Sequence, residues 1–123
     1  MRNSIIALLC IFSFAVNICS AQAKVQKILF GSCSHQDKAM PILDAINNEN
    51  ADLFIFLGDN VYGDTENMKD LADKYQRLGN VSGIKALRKN TETIAIWDDH
   101  DYGENDAGSD YPEKEASRKL MLD

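Results

Sequence analysis

Asp52 to Asp64 reads D-L-F-I-F-L-G-D-N-V-Y-G-D: five consecutive apolar residues, a glycine, and then a carboxylate at Asp59. A short, unbroken apolar run that stops at a turn residue is the pattern of a strand covered on both faces, the usual state in a parallel sheet. Two other runs share this shape. Val25 to Gly31 (V-Q-K-I-L-F-G) leads into G-S-C-S-H, and Thr93 to Trp97 (T-I-A-I-W) leads into D-D-H-D. Each run therefore ends in a cluster of chemically capable side chains.

The segments between the runs carry helical signals. Asp37 is a candidate N-cap with Pro41 in the opening turn, and Ile42, Leu43 and Ile46 form one face. Thr65 is placed to cap a helix running to about Gly79, with Met68, Leu71, Ala72, Tyr75 and Leu78 near helical spacing. A shorter helix is predicted from Ser82 towards Lys89. Tyr111 to Asp123 begins an amphipathic helix with a proline and glutamates in its first turn. Ser32–Gln36, Gly58–Thr65 and the stretch after Trp97 read as loops. The order β-loop-α-β-loop-α-α-β-loop-α predicts an α/β layered sheet of parallel strands joined by helical crossovers. Ligands in such sheets collect beyond the carboxyl ends of the strands, where all three polar motifs stand.

The first 23 residues read as a separate unit. Met1-Arg2-Asn3-Ser4 precedes an apolar core from Ile5 to Val16, and Ala21-Gln22-Ala23 follows as an A-x-A site. This is the layout of a secretory signal peptide cleaved after Ala23, and the run is shorter than the roughly 18 residues a membrane anchor needs. A lipobox at Cys19 is a second option, though Asn17 and Ile18 occupy positions where small residues are wanted. Cleavage removes Arg2 and no acid, so 13 basic residues become 12 against 19 acids and the net charge moves from -6 to -7. An acidic exported chain lacks the basic stripe of a nucleic-acid-binding surface. It has no membrane span after cleavage, and its oligomeric state is not encoded in any pattern here. Cys10 and Cys19 fall in the leader, leaving Cys33 without a partner for an internal disulfide.

Within the three clusters, the residues suggest cation chemistry. Asp59, delivered by a glycine at a strand end, can bridge two cations or serve as a turn residue. Tyr62 lies three residues on; its phenolate suits a hard trivalent ion, or its ring packs half-buried. Cys33 can be a soft metal ligand, a nucleophile activated by His35 or His100, or a small buried hydrophobe. His100, between Asp99 and Asp101, should have a raised pKa and act as a proton donor near neutral pH. Asp99 beside it could hold a second cation. Neither acidic loop has the alternating acids and following glycine of an EF-hand, and Trp97 reads as packing.

Taken in order, F-G-S-C-S-H-Q-D (Phe30–Asp37), F-L-G-D-N-V-Y-G-D (Phe56–Asp64) and W-D-D-H-D-Y-G-E-N-D (Trp97–Asp106) resemble the PhoD-like alkaline phosphatase family, a branch of the calcineurin-like metallophosphoesterases. The resemblance runs from about residue 28 to the end of the chain. It implies an α/β/β/α sandwich and a binuclear site, with Fe3+ and Ca2+, that hydrolyses phosphate esters by a metal-activated hydroxide. By the same resemblance Cys33 and Tyr62 match iron ligands, Asp59 the bridging carboxylate, and Asp99 a metal ligand. His100 matches the residue that stabilises the transition state. Asp98 and His35 are secondary candidates. The implied substrate is a phosphate ester, and residues 24–123 correspond to an N-terminal part of the domain, since further ligands and the second half of the sandwich lie downstream in the superfamily. An alternative is a non-catalytic secreted cation-binding fragment.

Overall fold

The computed structural model describes residues 24–122; the leader and the proposed cleavage site lie outside them. Three strands, β1 (Ile28–Gly31), β2 (Leu53–Leu57) and β3 (Glu92–Ile96), form a parallel sheet in the order β1-β2-β3. Five helices connect and flank them: α1 (Ile42–Asn48), α2 (Met68–Asn80), α3 (Ser82–Asn90), α4 (Asp99–Tyr102) and α5 (Lys114–Leu122). The fold is α/β, as the alternation of runs and periodic segments predicts.

The register sorts the side chains into two faces. Leu29, Phe54 and Thr93 are aligned, as are Phe30, Ile55 and Ile94, and neighbours along a strand point to opposite sides. Phe54 and Phe56 look towards the helices, where Leu43 of α1, Leu71 and Leu78 of α2, Ile84 of α3 and the loop residue Val61 make the core. Leu71 and Val61 are wholly buried. The other face carries Ile28, Phe30, Leu57, Ile94 and Ile96, all exposed, with Phe30 at 69%. The expectation of strands covered on both faces is therefore corrected for the described residues. The apolar runs are present, but only the helical side of the sheet is covered.

Helix boundaries depart from the sequence reading in instructive ways. Asp37 does not cap α1. It sits in a turn closed by the Lys38 N–H and the His35 carbonyl, and its carboxylate meets Arg77 of α2 at 3.0 Å. Pro41 occupies the N-cap instead, with no side-chain cap bond, and Asn50 in the left-handed region (φ 49) follows the C-cap. Thr65 does not cap α2 directly. Its hydroxyl accepts from the Asn67 N–H, and Asn67 caps the helix by accepting from Lys69 and Asp70. The stretch after β3 is not wholly loop, because α4 makes one helical turn there, closed by a capping box between Asp98 and Asp101. The helix at the C-terminal end begins at Lys114, not Tyr111; Tyr111 is buried and its hydroxyl donates to the Thr65 carbonyl at 2.7 Å.

Candidate metal centre at the strand ends

Parallel strands bring their carboxyl ends to one edge, so the loops after β1, β2 and β3 meet there. The first contact is backbone: the Cys33 N–H donates to the Gly58 carbonyl at 3.2 Å, joining the β1 exit to the β2 exit. Gly58 has φ +94, and a Cβ there would stand 2.6 Å from Asp98 Cβ, so only glycine allows the β2 and β3 exits to close on each other. Gly63 plays a similar part. Its N–H donates to the His100 carbonyl at 3.0 Å, and a Cβ would lie 2.5 Å from that oxygen.

On this frame Asp59, Asp99 and His100 each offer a ligand atom within 4.8 Å of the others. Cys33 joins from the first loop, its thiol donating to Asp59 Oδ2 at 3.6 Å. Tyr62 lies between the two histidines, its ring 4.7 Å from His35 and 4.3 Å from His100. The five residues singled out in the sequence thus share one small region. The secondary candidates are placed differently. Asp98 caps α4, accepting from the Asp99 N–H at 3.0 Å. His35 stacks on Tyr62 and accepts at Nδ1 from the Asp37 N–H.

The electrostatics are those of gathered anions. Burial raises the Tyr62 pKa, and the Cys33 thiol and the Asp59 and Asp64 carboxylates add to the rise. Burial of His100 opposes its charged form, but a hydrogen bond to Asp64 and the charges of Asp64, Asp59 and Asp99 outweigh it, so its pKa is raised. The direction agrees with the sequence reading, and the source agrees in part, since Asp99 contributes and Asp101 does not. Asp101 is turned inward, and the dominant partner is Asp64, whose Oδ1 lies 2.6 Å from His100 Nδ1. Asp99 is held below the ordinary carboxylate range by the N–H of Asp106, against the cost of its burial.

The residues fit a cation. Asp59 Oδ1 is buried and has no hydrogen-bond partner, an oxygen that a positive ion would satisfy. The donor set combines carboxylates, an imidazole, a phenol and a thiol, which suits a hard or borderline ion better than any neutral ligand. Backbone strain gathers at the same edge: Cys33, Asp59 and Asp64 have φ of 60, 51 and 43. Non-glycine residues in that region cost of order 1–3 kcal/mol each, persist where the surrounding structure over-determines them, and cluster at functional sites.

Two contributors, Asp64 and Gln36, have no role in the sequence reading, and a third, Asp101, has a different one there, although all lie within the quoted motifs. Asp64 orients His100. Gln36, buried, clasps the Tyr62 backbone, accepting from its N–H at 3.0 Å and donating to its carbonyl at 3.3 Å. Asp101 accepts backbone N–H groups from two of the loops. Their position inside the motifs was the available signal; their partners are set by tertiary contact.

No protein-family model matches the sequence, and no curated protein does. Among solved structures, one of PhoD is similar, with a TM-score of 0.61 at 17% sequence identity. The match covers 79% of this chain and 24% of that one, so this chain spans about a quarter of PhoD's length. At that identity the likeness is one of fold, and the three-stranded α/β unit described above has the fold of a part of PhoD.

Proposed function

We propose that this chain carries the metal-binding edge of a phosphoric ester hydrolase of the PhoD kind, acting on phosphomonoesters or phosphodiesters. The observation that carries the reading is the convergence of ligand atoms of Asp59, Asp99 and His100 within 4.8 Å of one another, with one oxygen of Asp59 buried and without a hydrogen-bond partner. In this reading Asp59 would serve both ions, Cys33 and Tyr62 would complete the donors to Fe3+, and Asp99 would serve the second ion, taken as Ca2+. Such ions supply positive charge to the phosphate oxygens and make a bound water acidic enough to react near neutral pH.

The chain's own residues do the rest. Asp64 holds the His100 ring by Nδ1, which leaves Nε2 free to face substrate. In the metal-free protein the Asp64 hydrogen bond and the neighbouring carboxylates raise the His100 pKa against the effect of burial, which favours the protonated ring that could stabilise the phosphate and give a proton to the leaving oxygen. Tyr62, packed between His35 and His100, limits how far that ring can swing. The apolar leader of residues 1–23, outside the described residues, supports export to a secreted or periplasmic location, with residues 24–123 as an N-terminal part of the catalytic domain. No helix among the described residues is long and apolar enough to cross a membrane.

A second reading is cation binding without turnover, since the same ligand atoms of Asp59, Asp99 and His100 can hold an ion whether or not an ester is hydrolysed. The test is to load the protein with Fe3+ and Ca2+ and assay a chromogenic phosphomonoester and diester. Metal-dependent hydrolysis that falls in His100→Gln while iron is retained supports the enzyme. Bound metal with no hydrolysis of either ester sinks it in favour of the second reading.

A further inference from the structure

Asp101 neighbours His100, yet it takes no part in the cation cluster. It is 1% exposed, and its carboxylate points into the protein beneath the site. Oδ1 accepts from the N–H groups of Asn60 and Val61, the latter at 3.3 Å. Oδ2 accepts from the N–H groups of Asp59 at 3.1 Å and Asp98 at 2.6 Å. Three donors belong to the β2 exit and one to the β3 exit, so a single side chain spans both loops. Asp59, the residue whose backbone is strained at φ 51, is one of the four.

We infer that Asp101 is a positioning residue that fixes the spacing between Asp59 on one loop and Asp99 and His100 on the other. The inference rests on the proposed cation site and deepens it. The geometry of one helical turn explains the arrangement. With about 100° between successive residues, Asp99 and His100 face outward when Asp101 faces in. Charge-assisted hydrogen bonds are short and directional, and four on one carboxylate leave little freedom to either loop. Both oxygens are needed, because each serves two donors. An asparagine offers one acceptor oxygen and sets an amide NH2 against the other pair of N–H groups. One pair must then separate, and the loops lose their common register.

The test compares Asp101→Asn with Leu87→Val, a core variant near the end of α3 that leads into the start of β3, by two readouts: amide hydrogen exchange and affinity for Fe3+ alone against a competing chelator. In the wild type, the amides of Asp59, Asn60, Val61 and Asp98 should exchange slowly. If they exchange as fast as those of exposed loops, the inference is overturned whether or not any variant folds. In Asp101→Asn these four should speed up together and iron affinity should fall about 10- to 100-fold, the range for residues that orient metal ligands. Leu87→Val should change neither. A fall in iron affinity that merely tracks lost stability in both variants overturns the inference. If the wild type takes up no iron, the proposed function fails, and the positioning role then stands or falls on whether faster exchange in Asp101→Asn is confined to the four amides.

Discussion

The helical layer and the strand-exit loops are built from the same 99 described residues by opposite rules. In the helical layer Leu71, Leu78, Ile84 and Leu87 are buried among apolar neighbours, and the flanking charges find partners such as Arg77 with Asp37. At the loops, acids crowd together, a buried carboxylate oxygen lacks a partner, and four non-glycine residues, Cys33, Asp59, Asp64 and Asp106, take left-handed backbone angles. A fold that spent its residues only on stability would not arrange an edge this way. The difference indicates that the layer holds the loops in place and that the loops hold something else.

If that contrast is real, core variants should cost stability and leave metal binding alone, while loop variants should do the reverse. The largest expected loss is in the core: Leu87→Ala should lower unfolding free energy by about 3 kcal/mol, since a buried leucine loses its transfer energy and leaves a cavity. Denaturant titration reads this, and iron affinity of the folded fraction should be unchanged. Next comes Asp59→Asn, which removes the proposed bridging charge. Iron affinity should drop by more than about a hundredfold, beyond what orienting residues give, with little change in the denaturation midpoint. Comparable stability losses in the two variants would break the contrast.

A smaller effect follows from Asp64. In the metal-free protein the His100 pKa lies above 6.5, so the native state binds its proton more tightly than the unfolded chain does. The stability from this pair is therefore fully present below about pH 6.5 and is lost as pH rises through the folded pKa. Asp64→Asn should bring the His100 titration, followed by NMR, down towards or below the ordinary value, because burial then acts with less opposition. An unchanged titration would show that Asp64 is not the dominant partner. The smallest effect sharpens the other side of the comparison. Arg77 and Asp37 form a half-exposed ion pair, so Arg77→Ala should cost less than about 1 kcal/mol, with no effect on metal.

The two regions also differ in how far the sequence reveals them. Met68, Leu71, Tyr75 and Leu78 announce α2 through spacing alone, and D-L-F-I-F-L announces β2 through an unbroken apolar run. Local pattern suffices where packing repeats. The α4 turn is invisible to the same reading, because four residues cannot display a helical period. Caps were misplaced for a related reason: Asp37 and Thr65 are good capping types, but Arg77 and the Asn67 N–H engage them in other ways. In the site, Cys33, Asp59, Tyr62, Asp99 and His100 were legible as residue types at strand ends. The Asp64–His100 pair, 36 residues apart, and the inward turn of Asp101 depend on how the loops meet in space. The uncovered sheet face could not be foreseen either, since apolar strands look alike whether or not something lies on them.

If three separate loops serve one cation site, iron affinity should depend on each of them, which chelator competition reads in the wild type and in one variant from each loop: Cys33→Ser, Asp59→Asn and Asp99→Asn. The wild type should bind iron, and all three variants should bind it more weakly while remaining folded. Wild-type affinity in Asp59→Asn, or in both of the other two, would contradict a single shared site.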